Sequence, residues 1–427
     1  MARGNHQSSP AGRALGLALL LWAAVHTLPG IAQSRPTLAE RIGAASEGDV
    51  IHLNAGIYHG PVTIDKRIVL QGEEGAIVEG DGESSVITVS AAGAEVRGLT
   101  ITGSGLSLQA MDSGVVLHES ARGAVVANNR IENNLIGVHI EGAPDSLVKN
   151  NTILGRRDLR VNERGNGVYL WSAPGARVIG NAFRYGRDGI FTTTSTDNVF
   201  ADNRFRDLRY AVHYMYTEDS TVRDNVSVGN HIGYAIMYSS RIEIRRNISR
   251  GDRDHGLMLN FVNYSTVEDN AVVDGGKKCV FIYNANANEF RGNRFEGCDL
   301  GVHFTAGSEQ NTLVGNAFIG NRTQVKYVGT RNLRWTEDER GNYWSDHAAF
   351  DLDGNGIADQ AYRPNGLVDQ IIWRMPQAKL LLSSPAVQLL RWAQAAFPAI
   401  RPGGVVDTAP LMRAPQLPAC VNRELNR

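Results

Sequence analysis

The sequence predicts an all-β protein, a right-handed parallel β-helix, and three observations carry that prediction. An Asn-x-apolar signature returns at Asn129, Asn151, Asn181, Asn203, Asn225, Asn247, Asn270, Asn293 and Asn316, at spacings of 22, 30, 22, 22, 22, 23, 23 and 23 residues. A period in the low twenties marks a solenoid, in which each coil covers the apolar face of the next. A glycine stands eight residues after several of these asparagines (Gly137, Gly189, Gly233, Gly301) and opens a strand-like run. The runs between turns are too short for helices and rich in β-branched residues, as in Val86-Ile87-Thr88-Val89.

Each coil of about 22–23 residues should therefore hold three short strands. One follows the asparagine, one follows the glycine, and one precedes the next asparagine. Strands joined this way stack in parallel, and the crossover rule makes the winding right-handed. Asparagine suits a corner that needs the left-handed conformation, and its amide can bond to those above and below. This row is expected to be structural.

In chain order, residues 1–32 read as a signal peptide: Arg3 and Arg13 precede an uncharged run from Ala14 to Val25, and Gly30-Ile31-Ala32 offers a cleavage site. Its loss would take the net charge from −1 to about −3. Residues 33–330 form the β-helix, regular from about 125, with a short helical stretch at Thr37–Arg41 covering its open end. The one interval of 30 reflects a basic insertion, Arg156 to Glu163. Residues 331–366 are a loop segment. Residues 367–427 form a helical capping or docking tail with an apolar surface at Leu380-Leu381-Leu382, Leu389-Leu390 and Trp392.

A near-neutral charge without a basic stripe argues against nucleic acid as a partner. Export permits disulfides, and of three cysteines Cys279 and Cys298 lie within one coil length and can meet, leaving Cys420 in the tail. Asp351, Asp353, Asn355 and Asp359 have the spacing of a calcium loop, with Tyr362 where the closing glutamate would stand.

Chemistry is sought on the outward face of the strand after the glycine, at its second and fourth positions. The first column reads His139, Tyr169, Phe191, His213, Ala235, Met258, Phe281, His303 and Lys326. The second reads Glu141, Trp171, Thr193, Met215, Met237, Asn260, Tyr283 and Thr305. A solvated sheet face would be Thr, Ser, Lys and Glu; this one is aromatic, His and Met, as on a recognition surface. His213, Met215, Met237 and Met258 are the candidate copper ligands, because thioethers and imidazole are soft donors suited to Cu(I). His139, Tyr169, Trp171, Phe191, Phe281, Tyr283 and His303 are the candidate partner-docking face. Glycoside chemistry needs two facing carboxylates, and the columns hold only Glu141. Arg253-Asp254-His255-Gly256 is the nearest catalytic constellation, but it sits at a corner where polar residues are ordinary. The residues point to a protein that is not an enzyme.

The strings Ala211-Val212-His213-Tyr214-Met215-Tyr216, Lys278-Cys279-Val280-Phe281-Ile282-Tyr283-Asn284-Ala285-Asn286, Arg184-Tyr185-Gly186-Arg187-Asp188-Gly189 and Gly341-Asn342-Tyr343-Trp344-Ser345-Asp346-His347 are more specific than the period. On these the chain resembles the NosD family of periplasmic β-helix proteins. The resemblance implies a non-catalytic accessory of nitrous oxide reductase maturation in denitrification, assembling the reductase's copper–sulfur site. Its implied partners are the ATPase and permease of an ABC transporter, a lipoprotein copper chaperone and the reductase itself. Contact with the membrane would run only through the permease. No ligand set comes with the resemblance, so the copper residues rest on the columns alone. The alternative is a β-helical protein that binds or modifies polysaccharide as lyase or epimerase, with Tyr169 and Trp171 stacking on sugars.

Overall fold

One residue per corner must enter the left-handed backbone region for the chain to turn, and these positions set the coil. In the computed structural model they are Asn128, Asn150, Gly180, Asp202, Asp224, Arg246, Asp269, Gly292 and Gly315, with φ between 52° and 70°. Each stands one residue before a signature asparagine. The asparagine itself was expected to take the left-handed conformation; instead it turns its side chain into the rod and is buried. The reason is hydrogen bonding. Asn203 Nδ2 donates to Val178 O at 2.8 Å and to Asn225 Oδ1 at 3.0 Å, and Asn203 N donates to the same Oδ1 at 3.0 Å. A buried amide thus satisfies backbone groups that the corner leaves without partners. The ladder passes from Asn129 to Asn316 and one step further, to Asn342 Oδ1.

The structure describes residues 36–426 except 306, 330, 383 and 397–402, so the signal-peptide expectation lies outside the described residues. Three parallel sheets form the walls of the rod. Sheet I has 12 strands, from Val50–Leu53 to Thr312–Val314; sheet II has 13, from Gly56–His59 to Tyr343–Trp344; sheet III has 12, from Val62–Ile64 to Thr323–Val328. A typical coil runs Arg204–Arg206, Tyr210–Glu218 and Thr221–Arg223. These are the three strands per coil that the repeat predicts. The strand Tyr343–Trp344 adds a rung beyond residue 330, carried by the Asn342 amide.

Inward positions of all three sheets make one core of Val, Ile, Leu and stacked rings, such as Phe183 on Phe205 at 5.0 Å. Helix Leu38–Ala44, capped by Thr37, plugs the first coil with Leu38 and Ile42. Cys279 and Cys298 are bonded to each other in the wall, with Cα atoms 5.7 Å apart, and Cys420 is free and exposed. The insertion folds onto the corner at Tyr185: the Arg157 guanidinium lies 4.6 Å from that ring, and Arg164 donates to Tyr185 O at 3.2 Å.

At Ser227 and Ser249 the inward column of sheet II turns polar, because Asp252 is buried beside it. Its carboxylate accepts from both hydroxyls at 2.6 Å and from Asn230 N at 2.7 Å. Burial outweighs these bonds and pushes the carboxyl from 3.8 to about 6. The folded chain therefore holds this proton more tightly than the unfolded chain. Asp252 adds stability as pH falls from about 6 toward 3.8 and subtracts it as pH rises through about 6. Urea midpoints measured against pH should show that slope, worth about 1–3 kcal/mol, and Asp252→Asn should flatten it.

The tail is helical only in part. Helices Leu367–Arg374 and Pro385–Ala396 pack together, and Asn365 Nδ2 donates to Val325 O at 2.6 Å, tying them to the end of sheet III. Leu380, Leu381, Leu389 and Trp392 are exposed. Residues Val405–Val406 then pair with Leu333–Arg334, and helix Ala419–Leu425 folds back along the rod, where Val421 and Leu417 cover Ile248 and Ala271. At 351–359 the loop closes on itself. Asp351 accepts from Gly354 N at 2.7 Å and Gly356 N at 2.8 Å, Asp353 from Asn355 N at 3.1 Å, and Asp359 from Leu352 N at 2.8 Å. Among the described residues no three His, Cys, Asp or Glu side chains converge as a metal cluster. The geometry gives calcium at Asp351, Asp353, Asn355 and Asp359 no support.

Candidate metal-binding and docking face

The strands of sheet III fix which side chains stand side by side. Their register places His139, Tyr169, Phe191, His213, Ala235, Met258, Phe281, His303 and Lys326 in one file. Glu141, Trp171, Thr193, Met215, Met237, Asn260 and Tyr283 form the other. Met215 and Met237 are direct partners, and Ala235 contributes only a methyl group between His213 and Met258.

Exposure within the files is uneven. Trp171 and Tyr283 are exposed, while Tyr169, Phe191, Met215, Met237, Met258, Phe281 and His303 are partly covered. His139 and His213, expected on an open surface, are buried. The file explains this, since rings in register stack: His139 on Tyr169 at 5.0 Å, Tyr169 on Phe191 at 5.3 Å, and Phe191 on His213 at 4.7 Å, with Tyr210 edge-on to His213 at 5.1 Å.

Beneath the soft donors lies a set of residues with no expected role. His213 Nδ1 lies 3.1 Å from Asp188 Oδ2, and Arg209 donates to both oxygens of that carboxylate at 2.8 and 2.6 Å. Burial would raise the Asp188 carboxyl, but the hydrogen bonds from His213 and Arg209 hold it below the usual value. An ionised carboxylate only accepts, so Nδ1 donates to it and Nε2 is the ring nitrogen left over. Nε2 is buried and has no hydrogen-bond partner among the described residues. Such an orphan calls for an explanation. A carboxylate on the far nitrogen is the usual support of a metal-binding imidazole, and thioethers are soft donors suited to Cu(I). Asp188 and Arg209 were missed because their partner lies one coil away; the one hint is an acid directly before the strand glycine, at Asp188-Gly189.

A third file was also missed. Tyr216, Tyr238 and Phe261 follow the second column at the corner, with φ of 52°, 48° and 54°, a region that bulky residues rarely occupy. They are exposed, and they stack at 5.2 and 5.1 Å. Two ring-bearing positions beside Met215 and Met237 thus accept backbone strain while remaining open to solvent. Asp254, by contrast, is an ordinary charged corner, 2.8 Å from Lys277 and 3.8 Å from His231 and His255.

Fold and face together define the class: a parallel β-helix presenting a soft-donor, aromatic outer surface. The chain belongs to the NosD family. The family model described as "Periplasmic copper-binding protein (NosD)" matches residues 149–349. The chain is 40% identical over 401 residues to the "Probable ABC transporter binding protein NosD" of Stutzerimonas stutzeri, covering 90% of this chain and 92% of that protein. It is also 40% identical over 421 residues to the protein of the same name from Pseudomonas aeruginosa, with 95% and 96% covered. Among solved structures it is similar to the A-module of the mannuronan C-5 epimerase AlgE6 of Azotobacter vinelandii (TM-score 0.56, 14% identity, 68% of this chain and 90% of that one). A mannuronic acid specific family 6 polysaccharide lyase gives TM-score 0.52 at 13% identity, with 67% and 79% covered. At such identities these two likenesses show the fold alone.

Proposed function

We propose that this chain is a periplasmic accessory protein that receives Cu(I) on sheet III and passes it on in the assembly of the copper–sulfur site of nitrous oxide reductase, working with an ABC transporter. The observation that carries the reading is the unpartnered Nε2 of His213, whose ring Asp188 orients on the strand that also carries Met215, with Met237 and Met258 on the two strands that follow. These four residues would hold the ion, with soft donors that release as readily as they bind. Asp188 is a positioning residue. Asp188→Asn should weaken Cu(I) about tenfold to a hundredfold while a far-UV spectrum stays that of the wild type. The aromatic residues Trp171, Tyr216, Tyr238 and Phe261 frame the patch and fit the docking of a copper-delivering lipoprotein or of the reductase.

The exposed apolar residues of the tail fit the transporter's permease. No helix of the described residues is long and apolar enough to cross a membrane; on this reading, membrane contact runs through that partner. The double variant Leu389→Asp/Trp392→Asp should lose co-purification with the permease, and cells carrying it should accumulate reductase without its copper–sulfur centre. Retention of both would remove the tail from the account. Against glycoside hydrolysis on this face stands one observation: the two outward files carry a single carboxylate, Glu141, where that chemistry needs two.

A further inference from the structure

Further along sheet III from the methionines, two lysines gather without an ion-pair partner among the described residues, Asp254 acting on Lys278 only from a distance. Lys278 Nζ lies 4.0 Å from the centre of the Phe281 ring, which stands 5.0 Å from His303. His303 is in turn the register partner of Lys326, so the imidazole sits between the two lysines. His303 Nδ1 is buried and has no hydrogen-bond partner among the described residues. Two nearby cations are matched, Lys277 with Asp254 at 2.8 Å and Arg322 with Asp299 at 3.5 Å. Among the described residues, Lys278 and Lys326 form no ion pair. A cation–π contact on Phe281 leaves the ammonium N–H donors of Lys278 unused, and it does nothing for Lys326 or His303.

We propose that Lys278, His303 and Lys326 form an anion-binding site on the outer face, taking an oxyanion of the phosphate or carboxylate kind. Two ammonium groups supply charge and donors, and the imidazole supplies a third polar group on a surface already partly withdrawn from water, where charge-assisted bonds are strong. The electrostatics agree. Burial and then the charges of Lys278 and Lys326 push His303 down to about 4, and burial lowers Lys278 against the opposing charge of Asp254, with Lys326 and Lys277 adding to the lowering. An anion would relieve both. The site is separate from the copper ligands, and its test does not depend on them.

The test titrates the full mature chain, at constant ionic strength held with sodium chloride, with inorganic phosphate and separately with an oligoglutamate peptide. Melting temperature and the His303 ring resonances are followed. At least one probe should bind saturably and raise the His303 pKa from about 4. Lys278→Met/Lys326→Met should bind that probe at least about tenfold more weakly. Binding of phosphate assigns the site to a free anion; binding of oligoglutamate alone assigns it to the carboxylates of a partner. Both lysines are partly exposed, and an unchanged far-UV spectrum shows that the variant is folded. Saturable binding by neither probe, or binding unaffected by the double substitution, would overturn the proposal.

Discussion

Replacing Met215, Met237 and Met258 together by leucine should reduce Cu(I) affinity by about a hundredfold or more, read by competition against a chromogenic Cu(I) chelator. Leucine conserves volume and apolar character, so the wall of sheet III should keep its packing and the melting temperature should move little. What disappears is the thioether sulfur, the donor that distinguishes this patch from an ordinary apolar one. Met215 and Met237 are register partners, and Met258 lies across Ala235 from His213, so the three sulfurs belong to one surface. Affinity equal to the wild type in the folded triple variant would place copper elsewhere on the rod.

The second large effect belongs to the scaffold. Asn225→Ala should destabilise the protein by about 3–5 kcal/mol in urea unfolding. Asn225 Nδ2 donates to Phe200 O at 2.9 Å and to Asn247 Oδ1 at 3.0 Å, and its Oδ1 accepts from the backbone and side chain of Asn203, both at 3.0 Å. These groups are buried; in the alanine variant Asn203 Nδ2 keeps Val178 O and Asn247 Oδ1 keeps Asn225 N, but Asn203 N and Phe200 O lose these bonds, at about 1–3 kcal/mol apiece before relaxation. Substituting the residue one place earlier, Asp224→Ala, tests different quantities, the strain of a left-handed corner at φ 57° and the partly exposed ion pair to Arg246 at 2.7 Å, and should cost less.

These two sites show what the sequence makes legible. The repeat reveals the coil because strands of one period must pair in register, so the outward files could be read by counting two and four residues past each glycine. The position of the left-handed residue could not be read that way. Asparagine satisfies either role by propensity, and the choice is made by the buried carbonyls that its amide must satisfy, such as Phe200 O. The burial of His139 and His213 escaped for a related reason, because stacking across coils covers residues that a single strand would leave open. The Asp188–Arg209–His213 constellation joins side chains 21 and 25 residues apart. The corner rings Tyr216, Tyr238 and Phe261 lie where the alternation of the strand ends, so its period says nothing about them.

The central claim is that sheet III holds copper through sulfur and imidazole, and X-ray absorption at the copper edge of the Cu(I)-loaded mature chain tests it most directly. The account predicts a Cu(I) spectrum fitted by thioether sulfur with one imidazole, the sulfur contribution vanishing in the Met215→Leu/Met237→Leu/Met258→Leu variant and the imidazole contribution in His213→Ala. A first shell of nitrogen and oxygen alone, the same in wild type and variants, would contradict it.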